Sequence, residues 1–154
     1  MNCKSLLAFV ALLSITLSVS AAPVPDSQDR QTSWGLYVDS REAYQMKNSP
    51  SGKTMLFVDV RDPIEIMFTG FTDVVDINIP YLKSNPRQWN DKKNVYAMDV
   101  NKDFEAQVAK ALTDRGLSKD DVVILMCRSG GERGAPSAKA LEGKGYKQVY
   151  VVTD

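Results

Sequence analysis

The chain carries short, dense apolar runs separated by longer stretches in which apolar residues recur at helical spacing. Met55-Leu56-Phe57-Val58-Asp59-Val60, Val122-Val123-Ile124-Leu125-Met126 and Gln148-Val149-Tyr150-Val151-Val152 lack the strict alternation of a half-exposed strand. Such runs fit parallel strands covered on both faces. Val74–Ile79 is expected to be a further strand, stopped by Pro80. The helical period is clearest over Lys102–Arg115. There Phe104, Val108, Ala111 and Leu112 share one face, Asn101 can cap the start and Gly116 fits the position just past the end. Ala135–Glu142 is a second helix, with Pro136 tolerated because it falls in the first turn. Ser40–Lys47 reads as a short helix with Ser40 as N-cap, and Pro63 opens another that runs to Met67. Asn48–Gly52 is a turn cluster, and Tyr81–Asn94, with Pro86 and Trp89, reads as loop. Trp34 and Trp89 are expected to pack rather than bind. Strands alternating with helices predict an α/β domain with a central, mostly parallel sheet, and ligands in such sheets bind at the carboxyl ends of strands.

The first residues follow a different logic. Lys4 and the α-amino group precede an apolar stretch, Leu6–Leu17, and Val19-Ser20-Ala21 has the small residues of a processing site. The stretch is short for a membrane span of ~20 residues. Residues 1–21 are therefore read as a signal peptide cut after Ala21. Export is expected, to the periplasm if the chain is bacterial and by secretion otherwise, with no stable membrane insertion after cleavage. Residues 22–33, polar and with two prolines, read as a flexible leader, and 34–154 as one domain with its own core.

Charge and composition then remove whole classes of chemistry. With 19 Lys and Arg against 19 Asp and Glu, and no basic run, nothing points to nucleic acid. The chain has no histidine, which rules out Ser-His-Asp and Cys-His catalysis and every histidine metal site. Of its 2 cysteines, Cys3 leaves with the signal peptide. Cys127 alone can form neither an internal disulfide nor a Cys-based zinc site, so no metal and no cofactor are expected.

The remaining cysteine opens the most distinctive segment, Cys127-Arg128-Ser129-Gly130-Gly131-Glu132-Arg133, between a strand and a helix. A thiol there faces loop N–H groups and the positive end of a helix, both of which favour the nucleophilic thiolate. Gly130 and Gly131 allow the backbone to approach an anion, and Arg128 and Arg133 can hold one. A buried, inert cysteine at a strand end is the plainer alternative; the paired glycines, flanking arginines and export context favour function. Asp59 and Arg61, at the end of the neighbouring strand, are candidates for support. Asp59 would order loop N–H groups, pair with an arginine or simply cap its strand; Arg61 would bind an anion or pair with Glu65.

The loop from Cys127 to Gly131 resembles the active-site loop of rhodanese-like domains. Upstream, Val58-Asp59-Val60-Arg61-Asp62-Pro63-Ile64-Glu65 resembles that family's Asp-Val-Arg segment, and Asn78-Ile79-Pro80 its Asn-Ile-Pro strand end. The motifs occur in the family's order and span roughly Val38 to Val152. The resemblance implies a rhodanese-like three-layer fold and sulfur transfer through a Cys127 persulfide. Arg128, Ser129, Gly130, Gly131, Glu132 and Arg133 would surround the substrate. A small sulfur-containing anion would be the donor, a thiol or cyanide the acceptor, and an exported redox partner is possible.

Three departures keep other readings open. Gly70-Phe71 stands where the family commonly has Gly-His, and the sequence ends at Asp154, without the family's usual C-terminal segment. The spacing from Cys127 to Arg133 is Cys-x5-Arg, one residue longer than usual for a sulfurtransferase. That spacing resembles the phosphatases related to this family, although Met126 and Gly134 differ from their pattern and no general acid is marked out. Alternatively Glu132 is a local insertion and the Gly130-Gly131 part still serves sulfur chemistry. A third reading is a non-catalytic binding or sulfur-carrier module. Expression of the full chain in a secreting host is expected to yield protein beginning at Ala22 by N-terminal sequencing; exported product that retains Leu6–Leu17 contradicts the reading of the leader.

Overall fold

A parallel strand covered on both faces must be apolar at nearly every position, and the middle of this domain meets that demand. The computed structural model describes residues 22–153; the expected cleavage site and Cys3 lie outside the described residues. The strands are β1 (Tyr37–Val38), β2 (Met55–Asp59), β3 (Ile77–Asn78), β4 (Leu82–Asn90), β5 (Val95–Val100), β6 (Val122–Met126) and β7 (Gln148–Val152). The helices are α1 (Ser40–Asn48), α2 (Pro63–Thr69), α3 (Phe104–Asp114) and α4 (Gly134–Leu141). Five strands form one sheet in the order β1-β7-β6-β2-β3, and every neighbouring pair is parallel. The domain is thus α/β with a mostly parallel sheet, beside which β4 and β5 form a separate antiparallel hairpin.

The pleat sends alternate residues to opposite sides. On one side Leu56, Val58, Val123, Leu125, Val149 and Val151 pack against Phe104, Val108 and Leu112 of α3 and Ala138 and Leu141 of α4. On the other side Phe57, Ile124, Val38 and Val152 form a smaller core with Ala43 of α1 and Val75. Each large apolar side chain buried this way contributes roughly 1.5–3 kcal/mol relative to exposure. No helix among the described residues is long and apolar enough to cross a membrane.

Several local readings change. The N-cap of α1 is Asp39, not Ser40: its carboxylate accepts from the Glu42 N–H at 2.7 Å while the Glu42 side chain accepts from the Asp39 N–H at 2.8 Å. That reciprocal box satisfies donors a serine one residue later would miss. The strand expected over Val74–Ile79 is confined to Ile77–Asn78, the two residues that pair in register with Val58 and Asp59 of β2. The helix expected over Lys102–Arg115 starts at Phe104, with Asp103 in the cap position. Tyr81–Asn94 is not loop: most of it is β4, whose polar, mainly exposed residues carry no core signal. The short β1, at the sheet edge, gave no signal of its own.

The leader also runs along the domain rather than away from it. Ala22 N–H donates to the Tyr37 carbonyl at 3.1 Å, Thr32 N–H to the Tyr37 hydroxyl at 2.7 Å and Ser33 N–H to Glu142 at 2.8 Å. Lys139 reaches the Asp29 carbonyl at 2.8 Å. Backbone pairing, which composition does not reveal, fixes this segment.

Asp59 terminates β2 with no exposed surface, and its partner is Arg61 rather than a loop N–H. The carboxylate accepts from the Arg61 backbone N–H at 2.9 Å, from Nε at 2.9 and 3.0 Å and from Nη2 at 2.6 Å. Arg61 donates onward to Thr69 Oγ1 at 2.7 Å and the Gly70 carbonyl at 3.0 Å, so it pins the end of α2 to the end of β2. Hydrogen bonding to Asp59, working against burial, raises the guanidinium above its ordinary pKa. Removing one partner leaves a buried charge uncompensated. Asp59→Ala is expected to cost about 3–5 kcal/mol in denaturant unfolding, whereas Lys110→Ala, which breaks an exposed pair in α3, should leave the midpoint nearly unchanged.

Candidate active site

The strand order creates a break at the centre of the sheet. The chain leaving β2 turns outward toward β3, and the chain leaving β6 turns the other way toward β7. Between their carboxyl ends lies a topological switch point, where open α/β sheets form ligand crevices. The register fixes what meets there: Asp59 lies opposite Met126, and Val60 N–H donates to the Met126 carbonyl at 2.8 Å. Cys127 is the next residue, a free cysteine only 7% exposed.

The loop after Cys127 is held in shape by its glycines and by α4. Gly130 has φ +67°, in the left-handed region, and a Cβ there would stand 2.6 Å from the Val152 carbonyl oxygen. Gly131 lies under the Arg30 guanidinium, which a Cβ would meet at 3.2 Å. Gly134, the first residue of α4, faces the thiol: a Cβ would lie 3.7 Å from Cys127 Sγ and 3.0 Å from a Val151 methyl. Ala135 N–H closes the turn on the Gly130 carbonyl at 3.0 Å. None of the N–H groups from Arg128 to Arg133 donates to an acceptor among the described residues. Buried backbone donors are normally paired, so Gly130 and Gly131, both buried, give the loop spare hydrogen-bonding capacity.

Arg133 leaves the loop toward α2. Its Nη1 lies 2.5 Å and its Nη2 3.3 Å from the two Glu65 oxygens. Burial works against its charge, yet Glu65, and more weakly Cys127 and Glu132, hold the guanidinium above its ordinary pKa. Its Nε is buried and has no hydrogen-bond partner. Glu65 therefore serves Arg133 and not Arg61, because Asp59 is closer along the chain and already saturates Arg61.

A cavity of about 440 Å³ opens at this point. Cys127, Arg128, Ser129, Glu132 and Arg133 form one side, and Leu82, Ser84, Lys93, Val95, Tyr96 and Met98 of the hairpin form the other. The hairpin is anchored at its base: Ser84 N–H donates to Asp62 at 2.5 Å and Asn101 N–H to the Tyr81 carbonyl at 2.8 Å. Glu132 points outward and lies 3.5 Å from Lys93 across the cavity mouth, both side chains mostly in solvent. A second hollow of about 690 Å³ lies beyond Ser129, between the leader, Asp39 and Thr153, and does not include the thiol. Among the described residues no group of three or more Cys, Asp or Glu side chains is placed to hold a metal ion.

Of the residues singled out from sequence, Cys127, Arg128, Ser129, Glu132 and Arg133 line one cavity. Gly130 and Gly131 shape its loop from behind, and Asp59 and Arg61 lie beneath it without facing it. Sequence reasoning missed Glu65 as partner of Arg133, and it missed the hairpin wall entirely. The Glu four residues after the Asp-Val-Arg run was a signal for the first; nothing in the polar, Pro-containing β4 marked the second. Trp34 packs partly buried on the core as expected, while Trp89 is 51% exposed and meets the Tyr96 ring edge-on at 5.3 Å.

No protein-family model matches the chain, and no curated protein sequence does either. The site must therefore be read from its own chemistry. Gly130→Ala forces a side chain into a left-handed residue, at roughly 1–2 kcal/mol, and against the Val152 carbonyl. Thermal unfolding is expected to fall accordingly and the rate of Cys127 alkylation by iodoacetamide to change; an unaltered melting curve and alkylation rate contradict this account of the loop.

Proposed function

We propose that this chain is an exported, rhodanese-like sulfurtransferase that carries sulfane sulfur on Cys127. The observation that carries the reading is the placement of the sole cysteine of the described residues. It lines a cavity at the switch point, within a loop whose N–H groups have no acceptor among the described residues. The ordered Asp-Val-Arg, Asn-Ile-Pro and Cys-Arg-Ser-Gly-Gly motifs support the same reading, and so does a parallel sheet that brings the first and last of them side by side.

In the first half-reaction the Cys127 thiolate attacks the outer sulfur of thiosulfate or a persulfide. A bond forms between Cys127 Sγ and that sulfur as the donor's own S–S bond breaks. The bonding electron pair leaves with sulfite, or with the donor thiolate. The terminal sulfur of the Cys127 persulfide is anionic, and the loop N–H groups are the donors available to it. In the second half-reaction a thiol or cyanide acceptor attacks this terminal sulfur, and Cys127 departs as thiolate. A covalent intermediate between two half-reactions gives ping-pong kinetics. Arg133, its guanidinium plane fixed by Glu65, adds positive charge beside the thiol; Arg128, exposed at the rim, attracts the anionic donor.

The Cys-x5-Arg phosphatase reading finds less support. The Glu65 carboxylate on Arg133 puts negative charge at the arginine that would have to hold a phosphate dianion. A leaving alkoxide needs a proton, but the carboxylates of the cavity are Glu65, committed to Arg133, and Glu132, exposed beside Lys93. A non-catalytic module that docks an exported redox partner has one observation in its favour: Met67 and Phe68 on α2 are 80% and 83% exposed.

The processed full chain, incubated with thiosulfate, is expected to gain the mass of one sulfur atom per molecule, and Cys127→Ser to gain none. Absence of an adduct with every sulfane donor overturns the proposal. Hydrolysis of an aryl phosphate lost in both Cys127→Ser and Arg133→Lys moves the assignment to a phosphatase.

A further inference from the structure

The cavity is far larger than an inorganic sulfur anion requires, and its two sides differ in character. The loop side presents Cys127, Arg128 and Arg133. The hairpin side presents Leu82, Val95, Tyr96 and Met98. A small, strongly hydrated dianion gains nothing from those apolar side chains. They are not satisfied within the fold either: Val95, Tyr96 and Met98 are 48%, 50% and 39% exposed. An adjoining hollow of about 380 Å³ extends the same wall along the hairpin, through Leu82, Val95, Tyr96 and Met98. The Tyr96 ring is held edge-on by Trp89, so the wall is preformed. Charge complementarity acts in the same place: Arg128 makes no ion pair among the described residues, so the loop side offers positive charge to an anionic head while the hairpin offers apolar surface to a tail.

Resting on the sulfurtransferase reading, we infer that the β4–β5 hairpin selects an organic sulfane donor: an apolar group carrying an anionic thiosulfonate, in preference to inorganic thiosulfate. The thiosulfonate oxygens face the loop N–H groups and the guanidinium groups of Arg128 and Arg133, the terminal sulfur faces Cys127, and the organic group lies against Tyr96 and Met98. The Cys127 thiolate attacks the terminal sulfur and forms the new S–S bond. The donor's S–S bond breaks, and the electron pair leaves on the organic sulfinate. One neutral sulfur atom is transferred, no proton moves and no outside oxidant is needed. Tyr96 and Met98 are the specificity-determining residues, because among the wall residues one offers an aromatic ring and the other the most adaptable apolar side chain.

The test compares benzenethiosulfonate with thiosulfate as donors to the processed full chain, with cyanide as acceptor in both cases. The wild type is expected to show kcat/KM at least about tenfold higher for benzenethiosulfonate, since even one methylene-sized apolar contact discriminates by about 10-fold or more. In Tyr96→Ser and Met98→Ala this ratio is expected to fall at least about threefold, half of a tenfold discrimination in free energy, because the wall is half exposed. The ratio is insensitive to how much of a variant is folded, so simple loss of stability does not move it. Equal use of the two donors, a preference for thiosulfate, or a ratio unchanged in both variants overturns the inference while leaving sulfur transfer intact. Failure of both donors to load Cys127 overturns the sulfurtransferase reading and this inference with it.

Discussion

The parallel pairing of β2 with β6 is the contact on which the site depends. These strands are adjacent in space but separated in sequence by the hairpin and α3. Their register, Met55 with Val122 through Asp59 with Met126, ends both strands at the same level. A register shift of one residue would turn the apolar side chains of either strand to the opposite face. Both faces are lined with core, so the pairing is heavily specified. The thiol's position is therefore set by side chains that never touch a ligand. Leu56 and Val58 on one face, and Phe57 and Ile124 on the other, locate Cys127 beside the β2 end.

Two arginines compete for carboxylates at this junction, and geometry divides them. Arg61 is tied to Asp59, which sits two residues earlier in the chain and is wholly buried. That bond ties the end of β2 to the end of α2 and spends the guanidinium's donors on structure. Glu65, one turn into α2, is thereby left for Arg133, which arrives from the far side of the switch point. The consequence is functional as well as structural. The arginine that resembles a ligand-binding residue in the upstream motif is buried beneath the site, while the one at the loop's end lines the cavity. Exposed pairs elsewhere, such as Lys110 with Asp114, carry no such consequence, because solvent screens them and both side chains are free to leave.

How much of this was legible in the sequence follows from where each element is buried. β2, β6 and β7 were readable because a strand covered on both faces must be written in apolar residues. Helix α3 was readable because its buried face repeats at the helical period. The hairpin was not readable: Lys83, Pro86, Arg87 and Gln88 in β4 give neither apolar density nor alternation, and a bulge between Asn85 and Trp89 interrupts the register. The leader was not readable because its own contribution to the bonds with Tyr37 is backbone N–H, from Ala22 to the carbonyl and from Thr32 to the hydroxyl, which composition does not reveal. At the site, the loop residues were legible as a contiguous string. The partner of Arg133 was not, since Glu65 lies 68 residues away and sits beside a nearer arginine that looked equally suitable.

The length of the loop is the feature that most divides the two enzymatic readings, and its residues go to different surroundings. Cys127 to Arg133 spans one residue more than the sulfurtransferase pattern it resembles. The Ala135 N–H to Gly130 carbonyl bond closes a wide turn over Gly131, Glu132, Arg133 and Gly134. Within that turn Glu132 projects into solvent toward Lys93. Meanwhile Gly131 lies beneath Arg30 and Gly134 beside the thiol, at positions where even a Cβ makes close contact. The outer edge of the loop is thus at Glu132, and its glycines lie on the buried side. The contact with Glu65 takes one N–H from each terminal nitrogen of Arg133 and so fixes the plane in which the remaining guanidinium donors are held.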